Sequence, residues 1–197
     1  MKKLLALLFS ILFLSSPSVF ADDISDFQIE GISIGDSLLD YMTEDEILKE
    51  IEKTKDMYTH LKEPNKYAHI NFNKGLNTYG WIIFFVKNNS ANEYITDKNE
   101  KYTILSIRGI MNYIEDFDNC IQKRDEIVEV LSTMFSYADK GEAITVDHVA
   151  DPSGDSIINS IEFVFASGDE IEAQCDNFEE TFRIKNKWGE GLNIAID

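Results

Sequence analysis

The stretch Gly31-Ile32-Ser33-Ile34-Gly35 matches the nucleophile-elbow pattern G-x-S-x-G. In enzymes with this pattern, the serine attacks a carbonyl carbon of the substrate. That chemistry places the serine between a buried strand of a parallel sheet and a helix, with an aspartate and a histidine following in the chain. A helical pattern follows Ser33, but no strand pattern precedes it. We therefore expect a glycine-containing turn, and a small periplasmic hydrolase using Ser33 or a carboxylate pair is the alternative hypothesis.

The three histidines, His60, His69 and His148, could serve as metal ligands or as proton carriers. None of them stands at the spacing of a zinc site, with a second ligand a few residues away. His148 continues the alternation of Ile144 and Val146, which indicates a half-buried imidazole on a strand. We therefore predict neither a metal nor a cofactor.

Acidic residues dominate one region: 139–180 contains 12 acids and a single base, Lys140. Several of the acids alternate with apolar residues, which predicts that they share one face of a sheet. Such a face could bind a basic protein or divalent cations, although the spacing is not that of a calcium loop. In the other interpretation the acidic face is simply solvated, and its charges keep the sheet edges from pairing with other chains. The residues we predict to form a binding surface are Asp151, Asp155, Glu162, Glu170 and Glu172.

The charge of the whole chain limits its partners. Among 197 residues there are 36 acids and 18 bases, a formal net charge of −18. Nucleic acids and anionic membrane surfaces are bound through Lys and Arg. We therefore exclude both as partners.

The first 21 residues have the features of an export signal. Lys2 and Lys3 precede an apolar run, and Val19 and Ala21 provide the small residues of a cleavage site. The run is too short to span a bilayer, which takes roughly 20 residues. We expect cleavage after Ala21 and a periplasmic or secreted product.

Two cysteines, Cys120 and Cys175, are present. An even pair in an exported chain indicates a disulfide, with two buried free thiols as the alternative. Both residues fall on apolar faces of their predicted elements, one on a helix and the other on a strand.

The elements that must position these residues follow from hydrophobic periodicity. Gly35-Asp36-Ser37 opens a short helical stretch, and a capping box formed by Thr43 and Glu46 begins a helix that runs to about Lys55. A second helix is predicted from Phe117 to Phe135. Alternation predicts strands at 68–72, 79–86, 102–110, 144–148, 157–165, 171–175 and 192–196, the last as a closing edge strand.

This order predicts an α+β fold, with helices packed on an antiparallel sheet. No strand–helix–strand crossover pattern is present. After the signal, the chain divides into two similar α-β-β-β units, residues 22–113 and 114–197. Whether these units share one sheet and core is left open by the pattern.

Three stretches resemble small exported proteins of AT-rich marine alphaproteobacteria, a group without an assigned activity: 27–47, 120–128 and the hairpin Ser167-Gly168-Asp169. In the order of its elements the chain is also similar to β-lactamase inhibitor protein and to small outer-membrane-assembly lipoproteins. It departs from those lipoproteins because it has no lipid-attachment cysteine near the cleavage site. Taken together, the patterns favour an exported, non-catalytic binding or envelope-associated domain with an acidic sheet face.

Overall fold

The computed structural model describes Ile24 and residues 27–55, 66–88 and 100–197, and the statements below concern these residues. The predicted export signal and His60 lie outside the described residues. The elements in chain order are a 3-10 helix (Leu38–Asp40), α1 (Glu44–Thr54), β1 (Tyr67–Phe72), β2 (Trp81–Lys87), β3 (Thr103–Asn112), α2 (Phe117–Met134), β4 (Asp139–Lys140), β5 (Ile144–Asp147), β6 (Ile157–Val164), β7 (Glu170–Asn177), α3 (Glu180–Asn186) and β8 (Gly191–Ile196).

The capping box of α1 forms as predicted. The Thr43 N–H donates to the Glu46 carboxylate at 3.0 Å, and the Glu46 N–H donates to the Thr43 hydroxyl at 3.4 Å. These reciprocal bonds satisfy backbone donors that the helix leaves without partners. Of the apolar residues of α1, Ile47 is fully buried, whereas Leu48 is 46% exposed.

The buried stripe of α2 includes one residue that an apolar pattern does not predict, Arg124. It consists of Cys120, Arg124, Val128 and Leu131, at spacings of four, four and three residues. Met134, the last residue of the helix, is 39% exposed. Arg124 occupies the centre of this stripe, where a charged residue is not expected, and its guanidinium pairs with Asp125 at 2.7 Å.

The strands form one sheet in the order β1-β2-β3-β8-β7-β6-β4, with β5 also pairing β6. Every pairing is antiparallel, which confirms the α+β fold. The prediction for the last strand was wrong, because β8 is not an edge strand but lies between β3 and β7. Residues 191–196 are all buried.

The close packing of β8 against β3 depends on Gly191. A Cβ atom at this position would lie 2.0 Å from the carbonyl oxygen of Met111. Only glycine allows this approach, since the obstructing atom belongs to the backbone. The residue therefore fixes where the last strand joins the sheet.

One face of the sheet packs against α1 and α2, and we call it the inner face. Alternate residues of six strands line it and belong to the same hydrophobic cluster as Ile47 and Leu131. One row across it runs Phe163, Ile171, Ile196, Ile107, Phe84 and Ile70. The strands of both predicted units thus belong to one sheet with a continuous core.

The predicted disulfide forms between Cys120 of α2 and Cys175 of β7, with a Cα–Cα distance of 6.0 Å. Both residues are fully buried, and Cys175 shares the inner face with Ile171 and Ala173. The bond therefore links the second helix to the sheet across the core.

Two features of the second half were not predicted. Ile144 and Val146 of β5 are 49% and 47% exposed, because their register partners on β6 point away from the helices. Helix α3 carries no fully buried residue, so its sequence lacks the apolar stripe that would have predicted it.

Candidate functional site

The face of the sheet opposite α1 and α2, which we call the outer face, carries most of the charged residues of the strands. On β7 the alternation is strict: Ile171, Ala173 and Cys175 face the core. The residues between and beside them, which face outward, are Glu170, Glu172, Gln174 and Asp176. Alternation therefore confirms the sidedness predicted for the acidic strands.

Three of the five predicted site residues lie together on this face. Glu162 of β6 stands directly opposite Glu172 of β7 in the strand register. Glu170 lies two residues before Glu172, so its side chain projects from the same face. Asp197 extends this acidic surface beyond β8, since its backbone exchanges two hydrogen bonds of 3.0 Å with Glu170. Like charges directly opposite each other destabilise a sheet, so this arrangement has a folding cost.

A single base, Arg108 of β3, faces outward among strands β3, β8, β7 and β6. The register places Ala195 of β8 between Arg108 and Glu172. Because the alanine side chain is short, the guanidinium reaches across it and lies 3.7 Å from the Glu172 carboxylate. One base thus offsets part of the charge of a much larger set of acids.

The environment of Glu172 disfavours its charged form. Burial raises the pKa of its carboxyl above the usual 4.5, and the charges of Glu162, Asp176 and Asp197 raise it further. The charge of Arg108 acts in the opposite direction, and burial outweighs it. A cation placed beside Glu172 would therefore relieve an existing electrostatic cost.

Asp176 lies at the end of β7, where the outer face meets α3. Its carboxylate accepts hydrogen bonds from the Gln174 amide at 2.5 Å and from the Asn193 amide at 2.7 Å. Burial raises its pKa despite these two bonds. Both amides hold the carboxylate in place on the face.

The other two predicted residues, Asp151 and Asp155, lie in the turn before β6. Asp151 is only 7% exposed and accepts hydrogen bonds from the backbone N–H and the hydroxyl of both Ser153 and Ser156. These bonds, with that of the Ser156 hydroxyl first, lower the Asp151 pKa to about 2. Asp155 is exposed. Asp151 therefore holds its own turn together and offers no free carboxylate to a partner.

Apolar side chains flank the acidic rows of the outer face on both sides. Towards the β1 edge, the rings of Tyr67 and Phe85 stack with centroids 5.5 Å apart. Towards the β6 edge, Ile144 and Val146 of β5 are exposed on the same face. The surface therefore combines an acidic centre with apolar margins.

An aromatic cluster adjoins Asp176, and sequence reasoning did not predict it. His148 lies 5.0 Å from Trp188 and 5.1 Å from Phe178, measured between ring centroids. Phe182 of α3 completes the cluster. The half-buried position predicted for His148 is confirmed, but its apolar neighbours come from α3 and the segments beside it, which the sequence did not reveal.

The sequence also gave no indication of the role of Glu190, whose side chain connects the segments around this cluster. The side chain is buried and accepts hydrogen bonds from the N–H groups of Glu115 at 2.8 Å and Phe178 at 3.0 Å. The Arg183 guanidinium of α3 lies 3.8 Å away. This buried carboxylate therefore connects the segments that precede α2 and α3.

Ser33, the candidate nucleophile, lies in a turn before the 3-10 helix and is nearly buried. Its backbone N–H donates to the Asp36 carboxylate at 3.0 Å, but its hydroxyl forms no hydrogen bond with any histidine in the described part of the chain. The strand-to-helix crossing that a nucleophile elbow requires is not formed here, since the sheet is antiparallel throughout.

Within the described ranges, no three residues of the types His, Cys, Asp and Glu are grouped so as to hold a metal ion. None of the helices described is long and apolar enough to cross a bilayer. No protein-family model matches the chain, and neither the curated proteins nor the solved structures contain a match. The resemblances noted from the sequence thus stay predictions.

Proposed function

We propose that this protein is a non-catalytic binding domain whose outer face holds a basic segment of another protein. The observation that carries the proposal is the placement of Glu162 directly opposite Glu172 on a face that neither α1 nor α2 covers. Such a pair lowers the stability of the free protein. A cation bound between the two strands would offset the repulsion between the carboxylates, so the pair favours a cationic partner.

The charge of the outer face supports a cationic partner. Five acids face outward, and Arg108 is the one base of strands β3, β8, β7 and β6: Glu162, Glu170, Glu172, Asp176 and Asp197. Burial of Glu172 and Asp176 strengthens their interaction with a bound cation, since the local dielectric constant is lower than that of water. A Lys or Arg side chain is the natural occupant of this centre.

The apolar margins define the partner more closely. Tyr67 and Phe85 on one side, and Ile144 and Val146 on the other, would contact apolar side chains next to the bases of the partner. Aromatic residues are enriched in protein contact surfaces. The proposed partner segment therefore alternates bases with apolar residues.

We further propose that the protein acts outside the cytoplasm. The buried disulfide supports this location, because disulfides persist in oxidising compartments. Ser33 gives no support to the hydrolase alternative, since no hydrogen bond joins it to a histidine in the described part of the chain.

The proposal is tested with a fluorescently labelled peptide of alternating Lys and Leu, whose binding is followed by anisotropy at several salt concentrations. The double variant Glu162→Lys/Glu170→Lys is expected to bind at least about tenfold more weakly than the wild type, which corresponds to about 1.4 kcal/mol. The matched control, Glu129→Lys/Glu52→Lys, has the same net charge but alters exposed residues of α2 and α1.

The control variant is expected to bind nearly as tightly as the wild type. Equal weakening in both variants would mean that net charge alone attracts the peptide, and this would contradict the proposal. Wild-type binding with no saturation would also contradict it, because the outer face would then be only a solvated surface.

A further inference from the structure

A groove runs between α1 and the turn that joins β1 to β2, three strands away from β7. It has two adjoining parts, of about 420 Å³ and about 330 Å³. Both parts are lined by Glu50, Asn71, Phe72 and Asn73. Volumes of this size are typical of sites for small organic ligands.

Two aromatic side chains, Phe72 and Trp81, line the smaller part of the groove. Trp81 is held in place by the loop before β8, since a Cβ atom at Gly189 would come within 3.2 Å of its ring. The indole is half-buried, and its remaining surface borders the groove. A fixed ring of this kind offers a flat apolar surface together with an N–H donor.

The amide groups of Asn71 and Asn73 lie beside these rings. Neither amide forms a side-chain hydrogen bond with any residue that the structure describes, whereas the amide of nearby Asn77 donates to Glu30 at 3.2 Å. Each free amide can both donate and accept. The groove therefore presents neutral hydrogen-bonding groups that match hydroxyl groups of a ligand.

The groove is also unusual in its charge, because bases outnumber acids there. Lys49, Lys53 and Lys74 line it with Glu46 and Glu50, in a chain with twice as many acids as bases. Lys53 pairs with Glu50 at 3.2 Å, and Lys74 pairs with Glu46. Lys49 has no ion-pair partner in the described part of the chain, so its ammonium group is available to an anion.

We propose that this groove binds an acidic oligosaccharide. The face of a sugar ring would stack on Trp81, the amides of Asn71 and Asn73 would bind its hydroxyl groups, and Lys49 would pair with a carboxylate of the ligand. An acyl chain would not match the groove, because amides and ion pairs interrupt its apolar surface. This site is independent of the outer-face centre on β6 and β7.

The test measures the binding of two probes, a hexamer of galacturonic acid and cellohexaose, by calorimetry and by the fluorescence of Trp81 in a Trp188→Phe background. The wild type is expected to bind the acidic hexamer saturably and more tightly than the neutral one. Asn73→Ala is expected to weaken the binding of both sugars at least about fivefold. Lys49→Ala should weaken only that of the acidic hexamer. Both residues are exposed, so neither substitution threatens the fold.

Matched controls are Gln122→Ala on α2 and Lys185→Ala on α3, which remove an exposed amide and an exposed ammonium group outside the groove. These controls should leave both affinities unchanged. Failure of both hexamers to bind saturably would overturn the proposal, and so would equal losses in the groove variants and the controls. Because the Lys-Leu peptide binds elsewhere, its affinity should be the same in Asn73→Ala and in the wild type, which separates this proposal from the proposed function.

Discussion

Glu172 has an acid directly opposite it on β6 and a base within 3.7 Å on β3, so it experiences both repulsion and attraction. Its burial decides the balance, since the pKa of the carboxyl rises in spite of Arg108. The sequence predicted this residue correctly as part of an acidic sheet face, because alternation fixes the face on which a strand residue lies. The register that pairs it with Glu162 could not be predicted, since it is set by contacts between distant segments.

Replacement of Glu172 by Gln should stabilise the protein at neutral pH. With the pKa raised in the folded state, the contribution of this carboxyl to stability is greatest below its ordinary pKa of 4.5 and falls as the pH rises through the folded value. We expect Glu172→Gln to gain up to about 1 kcal/mol in the free energy of unfolding by urea at pH 7, and little at pH 3. Glu129→Gln on α2 serves as the control, and a loss of stability in Glu172→Gln at pH 7 would contradict this account.

Asp151 shows that an acidic composition alone does not identify which carboxylates are free to bind a partner. It counts among the 12 acids of the acidic region, yet its carboxylate is enclosed by Ser153 and Ser156. The turn sequence Asp-Pro-Ser-Gly-Asp-Ser contained this signal, because Asp and Ser side chains commonly bind nearby backbone donors in turns. Of the two aspartates in the turn, only Asp155 leaves its side chain exposed.

Asp151→Ala should lower the thermal midpoint at pH 6, whereas Asp155→Ala should change it little. The Asp151 pKa is lowered to about 2 from an ordinary 3.8, so its stabilising contribution is present above about pH 4 and is lost as the pH falls towards 2. The difference in melting temperature between Asp151→Ala and the wild type should therefore narrow across that window. Equal effects of the two substitutions at pH 6 would show that the turn does not depend on Asp151.

Among the helices and strands, the sequence predicted best those features that depend only on interactions between neighbouring residues. The capping box placed the start of α1 correctly, because it involves only residues three apart. The burial of α2 was harder to predict, since Arg124 lies in the middle of its buried stripe. Helix α3 escaped prediction because it is short and carries no fully buried residue.

The disulfide between α2 and β7 should account for a large part of the stability of the protein. Closing a loop with a sequence separation of 55 residues contributes about 4 kcal/mol in the chain-entropy view. The Cys120→Ala/Cys175→Ala variant should therefore lose roughly that amount in urea unfolding. The unreduced, unfolded wild type should show no reactive thiol, and two reactive thiols would contradict the assignment.

For the molecule as a whole, the decisive element is β8. The sequence showed its alternation but gave no reason to place it between β3 and β7, because strand order depends on pairings between residues far apart in the chain. Its central position joins the strands of the two predicted units into one sheet. The same placement sets Arg108, Ala195, Glu172 and Glu162 in one row across the outer face.

The outer face is therefore a product of the whole fold, since the charges of this row come from three strands, β3, β7 and β6. The candidate residues Glu162, Glu170 and Glu172 could be predicted from local alternation. The single base among them and the apolar margins could not be predicted, because β3 and β5 approach these acids only in the assembled sheet.

The most direct test of the proposed binding surface is a nuclear magnetic resonance titration of the folded protein with the Lys-Leu peptide, following backbone amide shifts. We predict that the largest changes occur at Glu162, Glu172 and Asp176 and along β8, and that residues of α2 such as Glu129 show little change. Shifts spread evenly over the acidic surface, or concentrated on α2, would contradict the account.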